Sequence, residues 1–437
     1  MSGAAPVRDR IQRLFPVRAD ALPRVGAEVE LLAFDAASRG IAPLRSGLLP
    51  AVRSHARDRG WRETRSDKGA PRFVTATGGA VTFEPGGQLE YATPPYASPC
   101  ALLADLAATV QPLVEHVAEH GVALIAAGID PFNDADAAPL QAPSERYCAM
   151  DAYFATIGPA GRRMMRQTAS VQLNIGVVHD AALQWRVLNA IAPSLVAIFA
   201  SSGTYAARAT GYASYRAETW RRLDPSRTGL WYDEADPIGG YVARALNAPV
   251  MLAPRPDGYA PLRDLLAKAE ASAHVRGSTG ARGGGARDFD DAPFGDVGLD
   301  ALLESHLSTL FPEVRPRGYF EVRSMDAVAP RLYPAAVVLV AAIVWDRAAL
   351  EEASRLLGAP DEAMLAAAGE TGLANPTRAR TAADLVALAR DAADRLGPDW
   401  CDPADAESAF AFFEAYTLRG RSPRDDEPAA AAAVGPG

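Results

Sequence analysis

Polar and apolar residues alternate with a period of two in separated stretches of the chain, and that period predicts strands with one buried face. In "VGAEVELLAF" (25–34) Ala27, Val29 and Leu31 fall on one side while Glu28 and Glu30 fall on the other. "SVQLNIGV" (170–177) sets Gln172 and Asn174 against Val171, Leu173 and Ile175, and "GYFEVRSM" (318–325) sets Glu321 and Arg323 against Phe320 and Val322. "VTFEPGGQLEYATPP" (81–95) reads as strand, tight turn and strand, with Glu84 at the hinge and Glu90 in the second arm. Between these lie helical patterns over 5–20, 41–60, 144–156 and 180–200, and several more from the last strand to about 418. The clearest helix starts at Ser98, a fitting N-cap followed by Pro99, and stops at Gly121. "ALIAAGIDP" reads as a buried strand, and "PAAVVLVAAIVW" (334–345) as a buried helix too short to span a bilayer. The aromatic and Arg-rich stretch 203–240 has weak periodicity and reads as binding loops.

Strands and helices are interspersed, with glycine-linked hairpins among them, which predicts an α+β fold: a largely antiparallel sheet backed by helices. Residues 1–420 read as one catalytic domain, 276–296 as a Gly-rich mobile loop and 421–437 as a disordered tail.

Composition narrows the function. The 437-residue chain is 49% hydrophobic with a net charge of −9, so it lacks the basic surplus that a nucleic-acid partner demands. Its three cysteines, Cys100, Cys148 and Cys401, form no CxxC pair, and the N-terminal stretch has no apolar signal run. These features predict a cytoplasmic protein with small-molecule partners and no membrane partner; they say nothing of oligomeric state.

One strand with a glutamate pair fits a sheet with a wet face. Across the four stretches, however, the polar side offers five glutamates, two amides and one arginine, without a lysine. Two carboxylates about 4 Å apart repel by roughly 4 kcal/mol at an effective dielectric near 20, so such a cluster requires protonation or interposed cations. Hard oxygen donors suit Mg²⁺, or Mn²⁺, alongside phosphate oxygens, and Arg323 supplies a fixed cation for a transferring phosphoryl group. The set reads as a metal–nucleotide floor. A hydrolase using a carboxylate pair, such as a glycosidase, fits less well because of Arg323. A non-catalytic Mg–ATP-binding protein would carry the same residues.

"VGAEVELLAF", "FEPGGQLEYATPP", "RRMMRQTASVQLNI" and "HLSTLFPEVRPRGYFEVRSMDA" resemble, in order and spacing, the glutamate–cysteine ligases of the plant and actinobacterial type, most nearly those of ergothioneine biosynthesis. The resemblance spans about residues 24–345. It implies a glutamine-synthetase-like fold, with a curved antiparallel sheet forming a funnel and helices outside. It also implies ATP as co-substrate with two or three Mg²⁺ ions. The implied reaction joins the γ-carboxylate of glutamate to the amine of cysteine through γ-glutamyl phosphate, for ergothioneine or glutathione synthesis. By the same resemblance Glu28, Glu30, Glu84, Glu90, Gln172 and Glu321 hold metal. Arg323, with Asn174 and Arg317, meets the nucleotide, and Arg323 and Glu321 serve catalysis. Arg216 is the substrate contact that the resemblance implies, and Arg166 in "MMRQT" is a second candidate from its place near the Gln172 strand. No P-loop is present, and this fold does not use one.

Two features depart from the family: no counterpart of the plant redox cysteines is apparent, and 276–296 has no clear equivalent. The cysteine-binding residues find no match either, which leaves open a ligase of the same fold that joins glutamate to another amine. Arg315 reads as solvent-exposed, His306 as a buried hydrogen-bonded histidine, and Trp61 and Trp185 as packing.

Overall fold

The computed structural model describes residues 4–16, 23–66, 69–254, 258–278 and 298–427. Its centre is a nine-stranded sheet running, from one edge, Val314–Pro316, Phe320–Asp326, Ser170–Ile175, Val25–Asp35, Leu89–Ala92, Ala80–Phe83, Pro71–Val74 and Arg62–Arg65. Strand Val122–Ile125 pairs with the far half of Val25–Asp35. Every pairing in this sheet is antiparallel.

Register, which the alternation alone does not specify, brings the polar pairs together. Glu28 lies opposite Gln172, Glu30 opposite Glu90, and Glu321 opposite both Asn174 and Arg315. A one-residue slip would send all of these side chains to the other face, and the apolar partners forbid it. Ala27, Val29, Leu31, Val171, Leu173, Ile175, Phe320 and Val322 are all buried on the helix side. Helices Pro99–Glu119, Ala181–Ile198 and Tyr333–Trp345 supply most of the cover. Burying each large aliphatic side chain contributes about 1.5–3 kcal/mol, which makes this layer the main anchor of the register. Ala181–Ile198 is long and apolar enough to cross a membrane, but most of it is buried in this core.

Local signals place the helix ends. The Ser98 hydroxyl accepts from the Ala101 N–H and Gly121 has φ 76°, as expected of this helix's cap and stop. Differences arise where the pattern is weak. The stretch 41–60 begins with a π-helical turn, Leu44–Leu48, before the α-helix Leu49–Asp58. Arg62–Arg65 forms an edge strand whose wholly polar sequence hides it from any periodicity. Within 203–240, taken as loops, two helices form at Tyr215–Arg221 and from Pro237, capped by Ser214 and Asp236.

Order also continues past residue 420, where a tail was expected. Ser422 and Asp425 close a capping box, the Arg424 N–H donates to the Ala200 carbonyl, and Glu427 accepts from the Gly203 N–H. The rest of that tail lies outside the described residues. So does the Gly-rich stretch 276–296, apart from 276–278, which end helix Leu262–Ser278.

Candidate active site

The hairpin that carries Glu84 and Glu90 is held from below. Its turn closes through the Gly87 N–H on the Glu84 carbonyl at 2.8 Å, with Gly87 at φ 90°. A Cβ on Gly86 would lie 2.1 Å from the Arg166 carbonyl oxygen, so only glycine lets the turn dock against that backbone. Gln88, buried, accepts from the Gly86 N–H and donates to the Met165 and Thr168 carbonyls. The turn is thereby clamped to the segment leading into strand Ser170–Ile175.

Above the sheet's polar face is a cavity of about 290 Å³ walled by Glu28, Glu30, Glu84 and Glu90 on one side. Arg146, Arg216, Arg315, Arg317 and Arg323 line it too, with Trp220, Phe311 and three methionines forming its apolar part. Burial, then the neighbouring carboxylates, pushes the acids upward: Glu30 rises to about 7 beside Glu84, and Glu90 rises well above the usual range beside Glu84, Glu28 and Glu30. Glu28 rises through burial and Glu321, and Glu84 mainly through burial. Partial relief comes from Ser170 N–H and Gln172 Nε2 on Glu30, from Asn174 Nδ2 on Glu28 at 3.2 Å, and from Thr82 on Glu90. Tyr147 hydroxyl donates weakly to both Glu84 oxygens at 3.4 Å.

Arg323 sits at the junction of the acidic and cationic walls. Its Nη1 donates to Gln172 Oε1 at 2.5 Å and to Glu321 Oε1 at 2.9 Å. Its guanidinium carbon lies 5.6 Å from the Trp220 ring centre and 5.8 Å from that of Phe311, within cation–π range of both. Glu321 is buried behind it and also takes Arg315 on both oxygens. Burial works against the Glu321 charge, yet Arg315 and then Arg323 hold its carboxyl down at about 2.

The expected site residues thus divide. Glu28, Glu30, Glu84, Glu90, Gln172, Arg216, Arg317 and Arg323 share the cavity wall. Glu321 stands behind the wall with its oxygens engaged by two arginines. Asn174 reaches Glu28 but lines a neighbouring cleft instead. Arg216 is buried, donates to the Arg323 carbonyl and lies 3.8 Å from Asp326, with its Nε unpartnered among the described residues. Arg166 turns elsewhere, onto Asp151 at 2.5 Å and the Ala138 carbonyl at 3.0 Å, so it is not a wall residue.

Arg315, expected at the surface, is instead buried against Glu321. It lies in the short strand Val314–Pro316 directly opposite Glu321, a pairing set by register rather than by alternation. Arg146 and Tyr147 were not foreseen; they come from helix Glu145–Ala155, whose pattern marks a helix but not which face meets the sheet. Ser308 fixes Arg146 through its hydroxyl and carbonyl. His306 is buried on the Ala245 carbonyl and Trp185 is packed in the core, as expected.

An all-oxygen, carboxylate-rich wall whose members repel one another suits a hard divalent cation in kind. Among the described residues no group of three acidic, histidine or cysteine side chains is close enough to hold an ion as they stand. Holding one therefore requires the carboxylates to draw inward.

The family described as glutamate-cysteine ligase family 2 (GCS2) matches residues 24–402. The glutamate–cysteine ligase EgtA of Mycolicibacterium smegmatis is 33% identical over 355 residues, 80% of this chain and 77% of that protein. A chloroplastic glutamate–cysteine ligase of Arabidopsis thaliana is 26% identical over 331 residues, covering 73% of this chain and 60% of its own. In fold, the chain is similar to the crystal structure of a glutamate–cysteine ligase from Francisella tularensis in complex with AMP. There the TM-score is 0.51 at 10% identity, over 95% of this chain and 86% of the other. The sheet whose registers gather Glu28, Glu30, Glu90 and Arg323 is therefore a family framework, and the chain belongs to the glutamate–cysteine ligase family 2.

Proposed function

We propose that the protein is an ATP-dependent ligase that joins the γ-carboxylate of glutamate to the amine of cysteine. The observation that carries this reading is Arg323, aimed from the acidic sheet face and held from behind by Glu321 and Gln172. A cation fixed in that way stabilises charge as it develops on a phosphoryl group without reorganising, which is where this reaction begins. The glutamate γ-carboxylate attacks the γ-phosphorus of ATP and ADP leaves. The amine of the acceptor then attacks the carbonyl of γ-glutamyl phosphate and releases phosphate.

Glu28, Glu30, Glu84 and Glu90 are the residues that would hold Mg²⁺, with Gln172 beside them. When bound, the ion neutralises phosphate oxygens and offsets the mutual repulsion of these carboxylates. Arg216, on the cavity wall with its Nε unpartnered among the described residues, supports capture of an amino-acid carboxylate next to Arg323. Arg146 and Arg317 add positive charge where a triphosphate would lie. Trp220, Phe311 and the methionines keep water from the acyl phosphate.

The test is ADP release by the purified protein with ATP, Mg²⁺ and glutamate, with and without cysteine, beside Arg323→Met. Release that needs both amino acids and falls at least 100-fold in the variant supports the ligase. Release with a different amine only would replace the acceptor and keep the rest.

A further inference from the structure

Beyond Trp220, which lines both, lies a cleft larger than the acidic cavity, about 520 Å³. That volume falls in the range of small-molecule sites, roughly 300–1,000 Å³. Helices Tyr215–Arg221 and Glu362–Thr371 wall it together with strand Thr228–Gly229, and Arg244 enters from helix Pro237–Asn247.

Glu313, Glu362 and Arg244 meet in this cleft without closing on one another. Arg244 lies over the Trp231 ring at 5.7 Å, and neither it nor Glu313 has an ion pair among the described residues. The Glu313 backbone is fixed: its N–H donates to the Gly229 carbonyl and its carbonyl accepts from the Arg323 N–H, both at 2.9 Å. Glu362 accepts from the Leu230 N–H at 2.6 Å, in room left by Gly229 at φ 89°. Burial raises the Glu362 carboxyl, the Leu230 N–H lowers it, and Glu313 and Arg244 then act in opposite senses. Two carboxylates and a guanidinium therefore share one field with cleft space between them. The other charges here, Glu218 and Arg221, already neutralise each other. Ala217, Leu365, Ala366 and the Trp220 ring make up the apolar lining.

A simple cation would leave Arg244 opposing it, and a simple anion would face two carboxylates. A ligand carrying both charges satisfies all three groups. We propose that this cleft binds a free α-amino acid with an apolar side chain: its ammonium lies against Glu313 and Glu362, its carboxylate against Arg244, and its side chain on Trp220 and Leu365. Glutamate fits poorly, because Arg221 is engaged by Glu218 and no further cation is left for a second carboxylate. The site goes beyond the ligase reading and does not depend on it. It nevertheless adjoins the reaction cavity, since the Trp220 ring stands 5.6 Å from the Arg323 guanidinium and Glu313 holds the Arg323 backbone.

The test is calorimetry of the full-length protein with L-leucine, L-methionine and L-phenylalanine, repeated with glutamate and Mg–ATP at saturation. At least one of the three is expected to bind in both conditions. Its N-acetyl and amide derivatives, each lacking one charge, are expected to bind at least tenfold more weakly. Glu362→Gln, whose amide oxygen still accepts from the Leu230 N–H, and Arg244→Gln should each weaken binding tenfold or more. Melting temperatures confirm that the variants fold; where one does not, the derivatives decide. The site would be overturned by binding of none of the three, or by binding that glutamate and Mg–ATP displace. Affinity unchanged in the folded variants, or on blocking either charge of the ligand, would overturn it equally.

Discussion

Arg315 and Glu321 face each other across neighbouring antiparallel strands and close a two-pronged ion pair, Nε to Oε2 at 2.6 Å and Nη2 to Oε1 at 2.8 Å. The pair is buried, and Arg323 shares one of the same carboxylate oxygens. The Arg315 charge is favoured by Glu321 even though burial opposes it. Arg315 therefore acts as a positioning residue: it locks the carboxylate that aims Arg323.

Removing that lock should cost more than a surface pair would. Arg315→Met leaves a buried carboxylate with one cation, a loss of about 3–5 kcal/mol. Urea unfolding of the variant should show the lower midpoint. Arg315→Lys should recover only part of it, because an ammonium cannot make the fork. An unchanged midpoint in Arg315→Met would mean the pair contributes nothing to the fold.

The acidic wall predicts opposite effects on stability and activity. Glu90→Gln removes one member of a buried, mutually repelling set, and should stabilise the metal-free protein by about 1 kcal/mol or more. The same variant should lose most of its ADP release. Melting in the presence of a chelator, set beside turnover in Mg²⁺, checks both halves. A lower melting temperature for the variant would show that the wall is not repulsive.

Gly86 tests the hairpin's docking. A methyl group there meets the Arg166 carbonyl, which as backbone cannot swing aside. Gly86→Ala should destabilise by about 1–3 kcal/mol and depress activity, since the turn separates Glu84 from Glu90. Wild-type stability and turnover in this variant would refute the close approach.

His306 predicts an acid-side slope. Its Nε2–H donates to the Ala245 carbonyl, while Nδ1 is buried and unpartnered among the described residues. Burial, and then Arg227, push its pKa down from 6.5 to about 4. The unfolded chain therefore binds a proton between those values that the folded one refuses, and stability falls as pH drops from 6.5 to 4. The loss is on the order of 3 kcal/mol over that window. His306→Gln should flatten the curve there, as read by denaturant midpoints at successive pH values; an identical slope would rule His306 out.

Much of this was legible in the chain. A two-residue period places Glu28 with Glu30, Gln172 with Asn174, and Glu321 with Arg323 on the polar sides of their strands, because a strand's geometry leaves no other choice. Ser98, Pro99 and Gly121 mark a helix by capping chemistry that acts within a few residues. Which strands lie side by side is a different matter, since register is decided by packing of whole faces against helices far away in the chain. So Glu30 meets Glu90, Arg166 is drawn off to Asp151, and Arg146 and Tyr147 swing in from a helix whose inward face no local pattern marks. The sequence by itself determined the elements and the chemistry of their faces, because those follow from short-range geometry. Only the tertiary structure decided which charges became partners, because burial and register join residues from separate elements of the chain.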